Sequence, residues 1–498
     1  MAVDDISTDS SDCGLFSAAD LDHVEVAASL PDANAGANKR FKPFDPDRVM
    51  MVPPSLDEWL PERHLSRFIA EIGDAELDLS RFYAAYAKAK GFPPYDPRLM
   101  VRVLVYGYCV GVRSSRELER ACMDVVAFRW LSAQQFPDFR SFARFRKRHL
   151  AALGNVFLQA LELCRAAGMV SLGQVALDGT KVRANASRHK AMSYARLTEK
   201  QKVLADEVSD LLAEAERIDA GEDARFGKNT RGDELPAELA RRESRLAKMA
   251  AARQQLEAEA ADWARAEAEQ KARDDGDDDA GIQAKGQAAA ATAKVKPTAQ
   301  RNFTDPDSRI MKTADGSFHY SYNAQAVVDA DCQVIVATQL GNTAVDVQQL
   351  IPMLHLLEDT VHAAPGQVLA DAGYGSDSNL QHAQDVETMT AGATRFFISI
   401  RRTTHGQTEP ETATGAAPEG ASLKQQMGHR LKTGEGKAAY ARRKTIVEPV
   451  FGQIHTRQGK HLLLRGLEQA KAEWLLIAGC HNLMKLATHR AQATATAS

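Results

Sequence analysis

Val175-Ala176-Leu177-Asp178-Gly179-Thr180-Lys181 opens on three apolar residues, then delivers a carboxylate, a glycine and two polar groups. Such a run reads as a short buried strand with Asp178 at its carboxyl end. Gln367 to Ala370 has the same character and is followed by Asp371-Ala372-Gly373-Tyr374. Ligands of α/β sheets collect outside the carboxyl ends of strands. Two acids placed there on neighbouring strands can share a pair of divalent ions. Around them, Phe318 to Val328 alternates as a strand, Asp329-Ala330-Asp331 is a turn, and Gln333 to Gln339 pairs back as a hairpin. Asp346 to Asp359 reads as a helix with Leu350, Leu354 and Leu357 on one face, Phe396 to Ile400 as a further strand, and Val447 to Thr488 as mostly helical. The fold class is α/β.

A long insertion separates the first strand from the rest. Leu197, Leu204, Leu211 and Ile218 recur every seven residues, with Val208 and Ala215 between them. Leu239 and Leu246, then Met249, Leu256 and Trp263, recur likewise. The pattern predicts two heptad helices in an antiparallel coiled-coil hairpin, a structural arm connected through Gly221 to Gly232. Asp274 to Lys296, rich in Asp, Ala, Gly and Lys, reads as a flexible linker, and Thr403 to Gly420 as a mobile loop.

Upstream, Arg63 to Ile72 and Ala75 to Lys90 suit amphipathic helices. The Pro93-Pro94-Tyr95-Asp96-Pro97 stretch starts another at Arg98, which Gly111 ends. Ser114 with Glu117 three residues on is a capping-box pattern. Beyond Pro137, Phe139, Phe142 and Phe145 alternate with Arg140, Arg144, Arg146, Lys147 and Arg148. Short helices, the last one basic, suit a helix-turn-helix-like DNA binder.

Composition excludes several classes. In 498 residues no run of eighteen apolar residues occurs, which argues against a membrane span. The acidic start lacks a basic segment leading into an apolar one, so it is expected to be a disordered leader and not a secretory signal. Six scattered cysteines form no CxxC pair and fit a reducing cytoplasm. His149, His189, His319, His429 and His481 show no metal-ligand spacing. Gly221 and Gly227-Lys228 approach a phosphate-binding loop, but the spacing is one residue too long and Asn229 replaces the hydroxyl residue. The net charge of −4 is unevenly spread: Arg98 to Leu150 holds 11 Lys/Arg against 4 Asp/Glu, and Gln426 to Gly466 holds 9 against 2. Local basic surfaces, not the total, decide phosphate binding.

Several segments, in order, resemble the DDE transposases of bacterial insertion sequences. They are Tyr95-Asp96-Pro97-Arg98, Tyr106-Gly107-Tyr108, Arg113 to Arg120, Phe128-Arg129-Trp130-Leu131 and Arg144-Phe145-Arg146. Leu177-Asp178-Gly179-Thr180-Lys181-Val182, Asp371-Ala372-Gly373-Tyr374 and Val447-Glu448-Pro449-Val450-Phe451-Gly452 follow, the last after Tyr440-Ala441-Arg442-Arg443. Leu464-Arg465-Gly466-Leu467 and His481-Asn482-Leu483 close the set.

The resemblance implies an RNase H-like catalytic domain whose metal-binding acids are Asp178, Asp371 and Glu448. It implies Mg²⁺ or Mn²⁺ as cofactor, DNA as partner, and a homo-oligomer in the synaptic complex. Tyr440, Arg443, Lys444 and Arg457, with Arg144, Arg146, Lys147 and Arg148 of the helical region, are the expected DNA contacts. Two departures stand out. Four residues separate Arg443 from Glu448 where the family often has three, and His455 occupies a position where Lys is common. Pro449 places Glu448 either in a helix's first turn or at a kink. The expected organisation is a disordered leader over 1–49, a helical DNA-binding domain over 50–165, and a catalytic domain over 170–190 and 300–488. The helical insertion and linker occupy 191–299, and 489–498 is a disordered tail. The reaction implied is phosphodiester hydrolysis at the element's ends followed by strand transfer, in the cytoplasm of a bacterium.

Overall fold

The computed structural model describes residues 55–86, 93–226, 237–275, 277–313, 315–401 and 412–497. The expected leader, the second half of the insertion's connection and the first half of the loop from Thr403 to Gly420 lie outside these residues. The strands are β1 (Gln174–Arg183), β2 (Ala191–Ser193), β3 (Gln300–Asn302), β4 (Arg309–Lys312), β5 (Phe318–Asp329), β6 (Ile335–Gly341), β7 (Gln367–Ala370) and β8 (Arg395–Ile398).

β1 organises the main sheet. On one edge it runs antiparallel to β5, from Val175 opposite Asp329 to Arg183 opposite Ser321. On the other it runs parallel to β7, from Gln174 opposite Gln367 to Leu177 opposite Ala370, and β7 runs parallel to β8. β6 and β4 share the outer edge of β5. The sheet is therefore mixed. β1 extends five residues past Asp178, where the sequence suggested its end. The cause is β5, which keeps the β1 backbone hydrogen-bonded through Arg183. What ends at Leu177 is only the parallel pairing.

Helices cover the sheet. Leu350–Val361 packs on β5 and β6, and Gly434–Gln458 lies across β1, β5, β7 and β8. The long helix Leu467–Ala497 packs on β6 and on two N-terminal helices, Pro97–Val110 and Leu150–Ala166. One continuous apolar core thus joins the helical region to the sheet, from Ile69 and Leu104 through Val327 and Leu369 to Trp474 and Leu483. Residues 489–497, expected without order, continue the last helix, and Arg490 pairs there with Glu76 at 2.7 Å.

Local signals account for most helix ends. The Asp96 side chain accepts from Arg98 N at 2.7 Å with Pro97 in the first turn, and Gly111 terminates that helix at φ +86°. A Cβ on Gly111 would lie 2.4 Å from the Arg457 carbonyl oxygen, so glycine allows both the conformation and the close approach. Ser114 and Glu117 form the predicted capping box. The amphipathic pattern of Ala75 to Lys90 yields only a π-type turn at Ile72–Glu76 and a short helix, Ser80–Ala84, among its described residues.

In the insertion, helices Tyr194–Phe226 and Ala237–Asp274 share a small cluster of Leu197, Leu204, Met249, Ala252 and Leu256. Trp263, on the same heptad pattern, is 62% exposed. The expected linker is instead a helix, Asp279–Thr292, capped by Asp278 and packed on the end of Ala237–Asp274. Its Gly286 permits the contact, since a Cβ there would lie 2.6 Å from the Glu269 side chain.

Candidate active site

Asp178 and Asp371 are each the next residue after the last pair of the β1–β7 ladder. The two chains part there, and the acids stand side by side at the mouth of the split. Gly179 N–H donates to Asp178 Oδ1 at 2.8 Å, and Gly373 N–H to Asp371 Oδ1 at 2.7 Å. Burial pushes the Asp178 carboxyl up to about 6; the negative charge of Asp371 adds to this, and Arg443 opposes it. Taking a carboxylate out of water disfavours its charged form unless a cation faces it.

That cation is Arg443. It is 7% exposed, donates from Nη1 to Asp178 Oδ2 at 2.8 Å, and reaches Glu448 Oε1 from Nη2 at 3.5 Å. Its guanidinium lies 5.9 Å from the Tyr440 ring centre. The carboxylates of β1 and of the helix Gly434–Gln458 are thus linked through one arginine, with Asp371 at the β7 end beside Asp178. Glu448 lies neither in a first turn nor at the helix start: Pro449 is interior to the 25-residue helix. Proline cannot donate to the carbonyl four residues back. That carbonyl, of Thr445, accepts instead from Gln333 Nε2 at 2.9 Å. The extra residue between Arg443 and Glu448 turns the acid by about 100° around the helix relative to an i+4 spacing, and its side chain is 52% exposed.

Two family models match the chain: a transposase domain (DUF772) over residues 54–148, and a transposase DDE domain over residues 297–483. The chain belongs to the insertion-sequence DDE transposases. No curated protein and no solved structure gives a significant match. In this DDE transposase Asp371 and Glu448 lie within the DDE stretch, whereas Asp178 falls between the two matched segments. As a transposase, the protein acts on DNA.

A fourth acid, not singled out from sequence, underlies the site of the transposase. Asp346 Oδ1 accepts from Lys181 Nζ at 2.9 Å and from Asn323 Nδ2 and Gln325 Nε2 at 2.8 Å each. Lys181 follows Asp178 by three and so projects from the opposite face of β1. Gln325 also accepts from the buried Tyr374 hydroxyl, whose ionisation burial and the nearby acids strongly disfavour. A Cβ on Gly179 would fall 2.3 Å from Gln325 Nε2, which explains the glycine after the first acid. The signal available in sequence was the pair of amides, Asn323 and Gln325, on alternate positions just before the apolar run Ala326-Val327-Val328.

The expected DNA contacts fare differently. Lys444, Arg144, Lys147 and Arg148 are exposed. Tyr440 is half-buried beside Arg443. Arg457 is half-buried, with Nη1 3.1 Å from the Met484 sulfur and Nη2 3.4 Å from Gln453 Oε1. Arg146 is buried and donates to Arg113 O at 2.9 Å, to the Tyr108 hydroxyl at 3.4 Å and to Ser115 Oγ. It shares a helix face with Phe142 and Phe145, so its guanidinium is held inward, at the lining of a cleft, while those of its neighbours are exposed. His455 faces Thr180 Oγ1 at 3.5 Å, and burial lowers its affinity for a proton. Among the described residues, no helix is long and apolar enough to cross a membrane.

Proposed function

We propose that this transposase binds the ends of its insertion sequence, hydrolyses phosphodiester bonds there, and joins the 3′-hydroxyl ends to target DNA. The observation that carries this reading is the meeting of Asp178 and Asp371 at the split of two parallel strands, with Glu448 tied to Asp178 through Arg443. The strand order β6-β5-β1-β7-β8, antiparallel on one side of β1 and parallel on the other, supports an RNase H-like sheet. The proposed assembly on DNA is a homo-oligomer.

Asp178, Asp371 and Glu448 would hold Mg²⁺ or Mn²⁺. Their chemistry fits: carboxylate oxygens are the hard donors such ions prefer, and buried Asp178 faces a cation already. Among the described residues no three such groups stand close enough together to hold an ion as they are; Arg443 takes the place facing Asp178. A bound divalent ion supplies charge stabilisation for the attacking and leaving oxygens of an in-line displacement. The chain's own groups do the rest. The amides of Gly179 and Gly373 fix one oxygen of each aspartate. Lys444, exposed on the helix that carries Glu448, offsets phosphate charge near the site.

The test is Asp178→Ala, Asp371→Ala and Glu448→Ala, each assayed for nicking of a supercoiled plasmid with Mg²⁺ and for duplex binding. Nicking is expected to fall at least a hundredfold while binding stays within about threefold, since 2.7 kcal/mol of lost stabilisation is about a hundredfold in rate. Near-wild-type nicking by Asp371→Ala would sink the assignment. Nicking without joining of labelled 3′ ends would make the protein a nuclease.

A further inference from the structure

A cleft of about 500 Å³ lies away from the three acids, where the basic helix Phe139–Arg148 meets the start of Ser115–Asp124 and the loop after Gly434–Gln458. Ser114, Ser115, Arg146, Lys147, Asn185 and Arg465 line it, and no Asp or Glu does. Its three cations come from two separate elements. Lys147 and Arg465 are exposed. Arg465 is aimed by Asn185, to whose carbonyl Nε donates at 3.0 Å and whose Oδ1 it reaches at 3.3 Å; Asn185 Nδ2 in turn holds Leu463 O at 2.7 Å.

The buried region behind the cleft carries an unbalanced charge. Arg113 and Arg146 are both buried, 4% and 5% exposed, and the carboxylate buried with them is Glu473. Glu473 is already occupied by Leu463 N–H and Leu464 N–H, at 2.9 and 2.8 Å, and by Arg113 at 3.4 Å. Arg146 has only neutral acceptors: a carbonyl, the Tyr108 hydroxyl and the Ser115 hydroxyl. A buried cation without a full counter-charge is costly, and an anion seated above Arg146 would supply what is missing.

We propose that this cleft binds a backbone phosphate of DNA and so clamps the duplex to the side of the cleavage site. The inference rests on the transposase reading above. No more than about 25 Å of extended chain separates Asp178 from Asn185, a span of about seven nucleotides on one strand. The clamped phosphate therefore belongs to the same short stretch of duplex that enters the acids. The contact reads charge and not sequence.

Full-length protein, with the single variants Lys147→Gln and Arg465→Gln, is titrated against a fluorescein-labelled thirty-base-pair duplex of random sequence over a range of salt. Lys248→Gln, an exposed position on the insertion, serves as control, and thermal melts show that each variant folds. Each cleft variant is expected to bind about three- to tenfold more weakly at low salt, with the slope of log Kd against log salt reduced by about 0.9, one released counterion; the control keeps the wild-type slope. Unchanged slopes in both cleft variants, or an equal loss in Lys248→Gln, would overturn the cleft while leaving the transposase reading intact. A wild-type protein that binds the duplex with no salt dependence would overturn that reading as well.

Discussion

Arg443 sits between two carboxylates that sequence analysis could name but not place. Its burial makes it dependent on Asp178, and Asp178 on it. Removing one member of such a pair leaves an uncompensated charge, which is costlier than removing both. Arg443→Met should therefore lower stability by about 2–4 kcal/mol, and the double variant Arg443→Met/Asp178→Asn should recover at least about 1 kcal/mol of it. Denaturant unfolding of the four proteins measures this. Additive losses would show that the ion pair contributes nothing to the fold. The same residue explains why Glu448 is exposed: the fifth position along a helix is not the fourth, and only a long guanidinium arm spans the difference.

At the scale of elements, the heptad pattern of the insertion held in part. Leu197, Leu204, Met249 and Leu256 pack together, while Trp263 faces solvent. Leu204→Ala is expected to destabilise these helices by about 2–3 kcal/mol, and Trp263→Ala by less than about 0.5 kcal/mol. Hydrogen exchange of the backbone amides in Tyr194–Phe226 and Ala237–Asp274 reports each; a large loss of protection in the Trp263 variant would mean that its ring is covered. The tract from Asp274 to Lys296 shows how composition misleads. Ala, Gly and Lys do suit a linker, but an Asp278 cap and a glycine contact with a neighbouring helix are enough to order it.

At the scale of the molecule, the N-terminal helices share their apolar core with the last helix. The Cys480 thiol of the last helix donates to Val105 O, and the Cys109 thiol of Pro97–Val110 donates to Cys480 O. A fragment of residues 55–150 would expose Leu104, Tyr108 and Cys109, which are buried in the whole chain. It is expected to show no cooperative melt by circular dichroism; a sharp transition would prove an independent domain. The last helix also carries a pH dependence. Burial pushes the His481 imidazole down to about 3, against an ordinary value near 6.5. Between those values the unfolded chain takes up a proton that the folded chain refuses, so stability is present above about pH 6.5 and is lost as pH falls below it. The melting temperature should drop from pH 7.5 to 5, and His481→Gln, which keeps an N–H for Gln333 O, should shrink the drop. An equal drop in both proteins would assign it to other groups.

Local chemistry by itself determined the strand β7, the β5–β6 hairpin, the helix start near Arg98, the capping box at Ser114, the glycine stop at Gly111, and the family, because each depends on residues close together in the chain. The motif residues Asp178, Asp371 and Glu448 were legible for the same reason. Tertiary structure alone decided that β1 runs on past Asp178, because its backbone is satisfied by β5, more than a hundred residues away. It alone decided that Arg146 turns inward while its neighbours on the basic helix face water, because only packing distinguishes the faces of one short helix. It also decided that Pro449 is tolerated inside a helix, because Gln333, from a distant hairpin, takes up the carbonyl that proline leaves free. A sequence records which groups need partners; the folded chain decides which distant groups reach them.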